Sequence, residues 1–257
     1  MTRVLVLGNS HAATVRRAFD QIKGTWPDLS LEFWGLPGAA FAKARMDEAG
    51  LLRPDPEDAV SQKKAGQWNS RDHVDLAQYD IIMLVGLRYG LRPSQGFMRS
   101  LQPLDWGSRS GALGVSDGFF RAAIRAEIEA VIDAQTVRTP FDHRFILMPA
   151  PYPATTVIDA GPLHEPGPAA VTKLKRAVEL HDLYEEELLA AHRDRGLSLA
   201  LQPRDTLAGA FLTQPIFLED PGRDARHMNS DYGLIAFGAM ARLIPDLLPA
   251  KTGQRFA

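Results

Sequence analysis

The chain has no cysteine among its 257 residues. That excludes disulfides, thiolate metal sites and a cysteine nucleophile. It has no long apolar run either, and nothing approaches the roughly 20 residues of a membrane-spanning helix. The opening run Val4–Leu7 is too short for the apolar segment of a signal peptide and leads straight into Gly8. Neither sign of charge is in excess. The 29 Lys and Arg against 31 Asp and Glu give a net charge of −2 and no electrostatic case for nucleic acid or an anionic membrane. Internal repeats, low-complexity tracts, linkers and long blocks of like charge are missing as well. What remains is the composition of an ordinary soluble protein, 45% hydrophobic and 23% charged. The expectation is a cytoplasmic protein, with residues 1–257 as one large α/β domain.

Hydrophobic pattern and punctuation divide the chain. Val4-Leu5-Val6-Leu7, four apolar residues in succession, has the pattern of a strand buried on both faces. Leu31–Trp34, Tyr79–Gly86, Phe145–Pro151 and Leu197–Leu201 are the other strand candidates. Between them lie stretches of helical period. Val15, Ala18, Phe19 and Ile22 share a face. So do Phe120, Ile124, Ile128, Val131 and Ile132, with Ser116 or Asp117 as the cap. A long helix is expected near Ala169–Arg195, stopped by Gly196, and a last one over Asp231–Leu248 with Leu234, Phe237, Met240 and Ile244 inward. Strands alternating with helices predict a parallel sheet of about five strands with helices on both faces, a three-layer α/β sandwich. Residues 47–78 look polar and irregular, and 87–116 aperiodic; both are expected to be surface insertions. Glu185-Glu186-Glu187 is expected on a solvated helix face.

Ser10 lies between the end of the first strand and the start of a helix. That is the carboxyl edge of the sheet, where open α/β sheets bind ligands and a helix N-terminus favours negative charge. By itself this allows two readings, a nucleophile or a helix cap. A serine hydroxyl is a weak nucleophile until a neighbouring base takes its proton, so a histidine with an orienting carboxylate is the partner to look for. His143, His164, His181 and His192 have no such neighbourhood, and His73 lies in the polar stretch; all five are expected to be solvated. His227 differs. It follows Asp224 by three residues, in the loop Pro221–Gly233 before the last helix. One turn there can aim both side chains into one cleft. Asp224 would then accept from imidazole Nδ1 and leave Nε2 as the base.

Gly8-Asn9-Ser10-His11 near one end and Asp224-x-x-His227 near the other resemble the SGNH (GDSL-type) hydrolase superfamily. The order Ser, Asp, His, the five-strand rhythm and the Pro-rich end of the fourth strand at Met148–Pro153 match it too. The resemblance implies an SGNH/flavodoxin-like fold and a triad of Ser10, His227 and Asp224. It also implies an oxyanion hole built from the N–H groups of Ser10 and a second-block glycine, Gly38 or alternatively Gly35. The third block departs from the family pattern. Gly86-Leu87-Arg88-Tyr89 stands where Gly-x-Asn-Asp is usual, so Arg88 takes the place of an oxyanion-stabilising asparagine. Arginine also donates, so Arg88 can serve the hole, bind an anionic group or turn outward into an ion pair. Asn9 replaces the family's usual aspartate, at a position that is mostly structural. The opening with His11 and Ala12 is similar to SGNH domains that accompany membrane acyltransferases acting on polysaccharides.

The resemblance therefore implies a serine esterase that cleaves an O-acyl ester of a small molecule or a carbohydrate through an acyl-enzyme. No metal or organic cofactor is needed. Two alternatives are a carbohydrate O-acyltransferase with the same triad and an inactive glycan- or protein-binding module. Trp68 and Trp106 are candidate sugar-stacking residues, with a core or merely exposed tryptophan as the ordinary alternative. Acyl length, alcohol moiety and oligomeric state leave no trace in the residues.

Overall fold

A computed structural model of the chain describes residues 1–89, 101–106, 112–158, 176–221 and 223–247. Its centre is a five-stranded sheet of β1 (Thr2–Gly8), β2 (Leu29–Gly35), β6 (Ile81–Leu87), β9 (Phe145–Pro149) and β10 (Ser198–Leu199). The spatial order is β2-β1-β6-β9-β10, and every neighbouring pair is parallel. Counting only these strands, that is the doubly wound order 2-1-3-4-5 of flavodoxin-like sheets. Chain direction across the sheet reverses between β1 and β6, and in this topology ligands bind outside the carboxyl ends of those two strands.

The apolar runs are strands because they are buried on both faces. Val4 to Leu7 are fully buried. Alternate residues point to opposite layers. Val4, Val6, Ile81, Met83, Ile146 and Met148 pack against α1 (Ala12–Arg17) and α7 (Ser230–Ala241). Leu5, Leu7, Ile82, Leu84, Phe145 and Leu147 pack against α5 (Asp117–Thr136) and α6 (Ala177–Arg193). The α5 stripe is as expected, with Phe120, Ile124, Ile128 and Ile132 buried, and Ser116 is its cap, accepting from Phe119 N–H. The expected start of α6, at 169–175, lies outside the described residues.

Four local expectations are corrected. The first helix is two. The N–H of Ala18 bonds back three residues to Val15, which closes α1 before α2 (Phe19–Thr25) restarts. The last helical stretch likewise breaks after Ala241 and resumes as α8 (Ile244–Leu247). Residues 47–78 are not irregular. They carry α4 (Ala59–Trp68) and, with β3 (Arg45–Met46), a small antiparallel sheet through β4 (Leu51–Arg53) and β5 (Val74–Asp75). Leu52, Ala65 and Val74 from this stretch are core residues, too widely spaced to register as a period. Finally, Glu185-Glu186-Glu187 is a solvated face only at Glu186, which is exposed: Glu185 is buried, and Arg121 of α5 reaches Glu186 and Glu187 across the helix pair. Of the 87–116 stretch, β7 (Leu101–Pro103) and β8 (Leu113–Val115) form a two-stranded parallel pair, and the remainder past Tyr89 lies largely outside the described residues.

Candidate active site

Ser10 sits two residues beyond the end of β1 and two before the start of α1. It does not act as the helix cap. No side chain takes that role: the N-cap residue of α1 is His11, and just before it Asn9 Oδ1 accepts from His11 N–H at 3.0 Å, a bond within the turn. The Asn9 Nδ2 donates to the carbonyl of Gly86 at 2.6 Å, which ties the end of β1 to the end of β6. Gly86 is a conformational requirement here. Its φ is +95°, and a Cβ would lie 2.2 Å from Asn9 Oδ1. The register of β6 against β9 shifts at the same place, between Val85 and Leu87. The turn that carries Ser10 is therefore pinned from both sides of the topological switch point.

The Ser10 hydroxyl meets a partner from the far end of the chain. His227 Nε2 lies 3.0 Å from Ser10 Oγ, and His227 Nδ1 is hydrogen-bonded to Asp224 Oδ2. Asp224 Oδ1 also accepts from the backbone N–H of Arg226 at 2.7 Å and of His227 at 3.4 Å, so one carboxylate organises the whole 224–227 turn. Burial alone would raise the Asp224 pKa; the bonds from the His227 ring and the Arg226 N–H outweigh it and hold the carboxyl below its usual range. An ionised Asp224 keeps the proton on Nδ1 and presents Nε2 to Ser10 as an acceptor.

Several contacts carry that loop to the first strand. The N–H of Ala154 donates to Ala225 O at 2.8 Å, and that of Glu219 to His227 O at 3.0 Å. From α1, Thr14 Oγ1 and Arg17 Nη1 both donate to Met228 O at 3.2 Å, and Arg17 pairs with Glu219 at 2.6 Å. Helix α7 can lie this close to α1 because it carries Gly233, where a Cβ would be 2.2 Å from Thr14 O. Asn229 caps α7 by accepting from Tyr232 N–H at 3.1 Å.

His11 is the neighbour the sequence did not place. Its ring stacks on that of His227, with centroids 5.6 Å apart and planes 27° apart. It is buried, and its Nδ1 has no hydrogen-bond partner among the described residues. Burial first, then the charges of His227 and Arg88, push its pKa down to about 3, so the ring under the His227 imidazole is neutral at ordinary pH. Arg88 is exposed at the end of β6, near enough for its charge to act on His11. The next residue, Tyr89, is buried and anchors this segment to α6. Its hydroxyl bonds His192 Nε2 at 2.8 Å, and its carbonyl accepts from Tyr184 O–H at 2.9 Å.

The two candidate glycines differ. Gly35 exchanges hydrogen bonds with Asn69. Its N–H donates to Asn69 Oδ1 and its carbonyl accepts from Asn69 Nδ2, both at 2.9 Å. That N–H is already committed. Gly38 is exposed and opens the short helix α3 (Gly38–Phe41), a position whose N–H has no acceptor within its own helix.

Among the histidines set aside, His143 is exposed and His73 bonds Asp72 at 2.6 Å, while His164 lies outside the described residues. His181 and His192 are not solvated, contrary to expectation. Both are buried on the inner stripe of α6, in helical register with Tyr184 and Leu188, and that period was the signal for them. His181 is packed edge-on by Phe211, with centroids 4.8 Å apart. With Asp182 and Glu185 it forms a group whose ligand atoms lie within 4.8 Å of one another. Arg204 brings the positive charge there, 2.8 Å from Glu185 Oε2 and 3.1 Å from Asp182 Oδ1. Of the tryptophans, Trp106 packs on Phe120 and Trp68 is partly exposed. Among the described residues no helix is long and apolar enough to cross a membrane.

No family model and no curated protein matches the chain. Solved structures of similar outline exist. A putative acylhydrolase from Bacteroides fragilis is 11% identical, with a TM-score of 0.42, over 96% of this chain and 88% of that one. A GDSL-like lipase from Bacteroides thetaiotaomicron is 12% identical, with a TM-score of 0.40, over 95% and 88%. A salicylyl-acyltransferase from a tetracycline biosynthetic pathway is 14% identical, with a TM-score of 0.37, over 96% of this chain and 55% of that one. The likeness is one of outline, and the chemistry of this chain rests on its own residues.

Proposed function

We propose that this chain is a serine ester hydrolase of SGNH type, cleaving an O-acyl ester through an acyl-enzyme. The observation that carries the reading is the chain of contacts from Ser10 Oγ to His227 Nε2 at 3.0 Å and from His227 Nδ1 to Asp224. Ser10 Oγ attacks the ester carbonyl and forms the new C–O bond while His227 Nε2 takes its proton. The tetrahedral intermediate collapses, and the same nitrogen returns the proton to the leaving alcohol. Water then attacks the acyl-enzyme with His227 again as base, and Ser10 is released. Asp224 holds the tautomer throughout and stabilises the imidazolium that forms. The oxyanion is held by the N–H groups of Ser10 and Gly38, with Arg88 standing where an asparagine would be a further donor. The commitment of the Gly35 N–H to Asn69 favours Gly38 of the two glycines. No step needs a metal or an organic cofactor. The substrate is a small-molecule or carbohydrate ester.

The test is chemical. A serine-directed phosphonate is expected to label Ser10 stoichiometrically. Ser10→Ala is expected to abolish both labelling and hydrolysis of short-chain acyl esters, leaving a residual of about 10³–10⁴ over water at most. Hydrolysis that survives Ser10→Ala overturns the mechanism. Absence of any labelling at Ser10 would instead fit a binding module. Partition of the acyl group between water and an added glycan tells a hydrolase from a transferase.

A further inference from the structure

A group of titratable side chains that the proposed reaction does not use lies on the inner stripe of α6. His181 and Glu185, one helical turn apart, are 2% and 3% exposed. Asp182 stands at the rim, its side chain half exposed. One ligand atom from each of the three falls within 4.8 Å of the others. Two ligands bonded to one ion at about 2.0–2.2 Å stand at most about 4.4 Å apart, so small side-chain movements close the three onto a metal.

The protein's own cation marks the place. Arg204 Nη1 lies 3.3 Å from His181 Nδ1, and Nη2 lies 3.1 Å from Asp182 Oδ1 and 2.8 Å from Glu185 Oε2. Arginine can only donate, so Nδ1 is the acceptor and the ring proton sits on Nε2. Nε2 faces Glu185 Oε1 at 3.3 Å. That is the tautomer of a metal-bound imidazole, with its lone pair toward the cation and its N–H toward a carboxylate. Yet Arg204 satisfies the cluster poorly. Neither Glu185 oxygen makes an aligned hydrogen bond, nor does His181 Nε2, although all three atoms are buried. The Arg204 side chain is itself exposed, on the turn Arg204–Thr206, and is free to swing outward. Phe211 and Tyr152 pack on the His181 ring, with centroids 4.8 and 5.2 Å away, and shield it from water.

We propose that His181 Nδ1, Asp182 and Glu185 form a binding site for a divalent transition metal, and that Arg204 is a tethered cation competing for it. An imidazole with carboxylates suits Zn²⁺. The ion sets two positive charges between two carboxylates where the arginine sets one, and water completes its coordination. The site uses no residue of the triad, so it is a stabilising centre and stands independently of the hydrolase reading.

The experiment titrates Zn²⁺ into the chelator-treated full chain by calorimetry, with Tm as a second readout. One Zn²⁺ per chain is expected to bind and to raise Tm. Asp182→Asn, at a half-exposed position that leaves the core intact, is expected to weaken binding by about tenfold or more, and so is Glu185→Gln. Arg204→Met removes the competitor and is expected to tighten binding by about tenfold. Opposite changes from adjoining side chains separate this site from surface histidines such as His143. Equal affinity in the parent, Asp182→Asn and Glu185→Gln puts the metal elsewhere and overturns the proposal. Binding seen only in Arg204→Met makes the arginine the permanent occupant and overturns it too, as does failure of both the parent and Arg204→Met to bind.

Discussion

Replacing Gly86 by alanine tests how the nucleophile turn is held. The added methyl would lie 2.2 Å from Asn9 Oδ1 and 2.8 Å from Asn9 Cγ, on a backbone at φ +95°. The backbone term alone costs an L-residue about 1–2 kcal/mol. The overlap expels the Asn9 side chain and with it two hydrogen bonds, to the Gly86 carbonyl and from the His11 N–H. Each is worth about 0.5–1.5 kcal/mol. Gly86→Ala should therefore destabilise by about 2–5 kcal/mol, and Asn9→Ala, which loses the same two bonds without the strain, by about 1–3 kcal/mol. Once Asn9 has been truncated there is nothing for the methyl to expel. The double variant should be about as unstable as Gly86→Ala alone, with a coupling of about 1–3 kcal/mol. Urea unfolding followed by circular dichroism measures all four corners of the cycle. Additivity within about 0.5 kcal/mol would refute the reasoning, because it would mean that Gly86 and Asn9 do not share those bonds.

Three further outcomes are expected. Asp224→Asn keeps the shape of the turn but loses the anion that selects the Nδ1–H tautomer, and should lower kcat on a short ester by about 10⁴-fold; a loss under tenfold in steady-state kinetics would contradict its orienting role. His11 is neutral in the fold down to about pH 3 but takes a proton below about pH 6.5 when the chain is unfolded. Acid then favours the unfolded state, and this residue removes about 1.4 kcal/mol of stability by pH 5.5. His11→Phe should flatten the fall in urea midpoint between pH 7 and 5.5, and an unchanged slope would count against a buried neutral imidazole. Asn69→Ala breaks bonds to both backbone groups of Gly35 and to the Ala65 carbonyl, and should cost about 2–4 kcal/mol in thermal or urea unfolding.

Much of the architecture is legible in one dimension because its causes are local. A short unbroken apolar run bounded by glycine or proline fits a strand covered on both faces, and β1, β6 and β9 announce themselves that way. The α5 stripe follows from the 3.6-residue period and its cap from the serine before it. The small sheet around β4 escapes the same procedure because its strands are two or three residues long, below the length at which alternation can be distinguished from chance. His181, Glu185 and His192 escape it for another reason: a polar residue on a helix is assumed to be wet, and burial depends on which neighbour closes over it. Tyr89, Phe211 and Arg204 come from distant elements, so the only local check on that assumption is the helical register of His181 and His192 with Tyr184 and Leu188.

The sequence by itself determined the strand–turn–helix that exposes Ser10, the turn that pairs Asp224 with His227, and the alternation that makes a parallel sheet. Each is a matter of spacing within a dozen residues. Only the tertiary structure decided that residues 217 positions apart in sequence should meet at 3.0 Å. It does so through the sheet order, which brings the carboxyl ends of β1 and β6 together, and through Gly233, which lets α7 lie against α1. It also decided that no side chain, Ser10 included, caps α1, that the Gly35 N–H is taken by Asn69, and that a neutral His11 lies under His227. Hydrogen bonds and burial of this kind depend on what the rest of the chain brings near, and no local period encodes them.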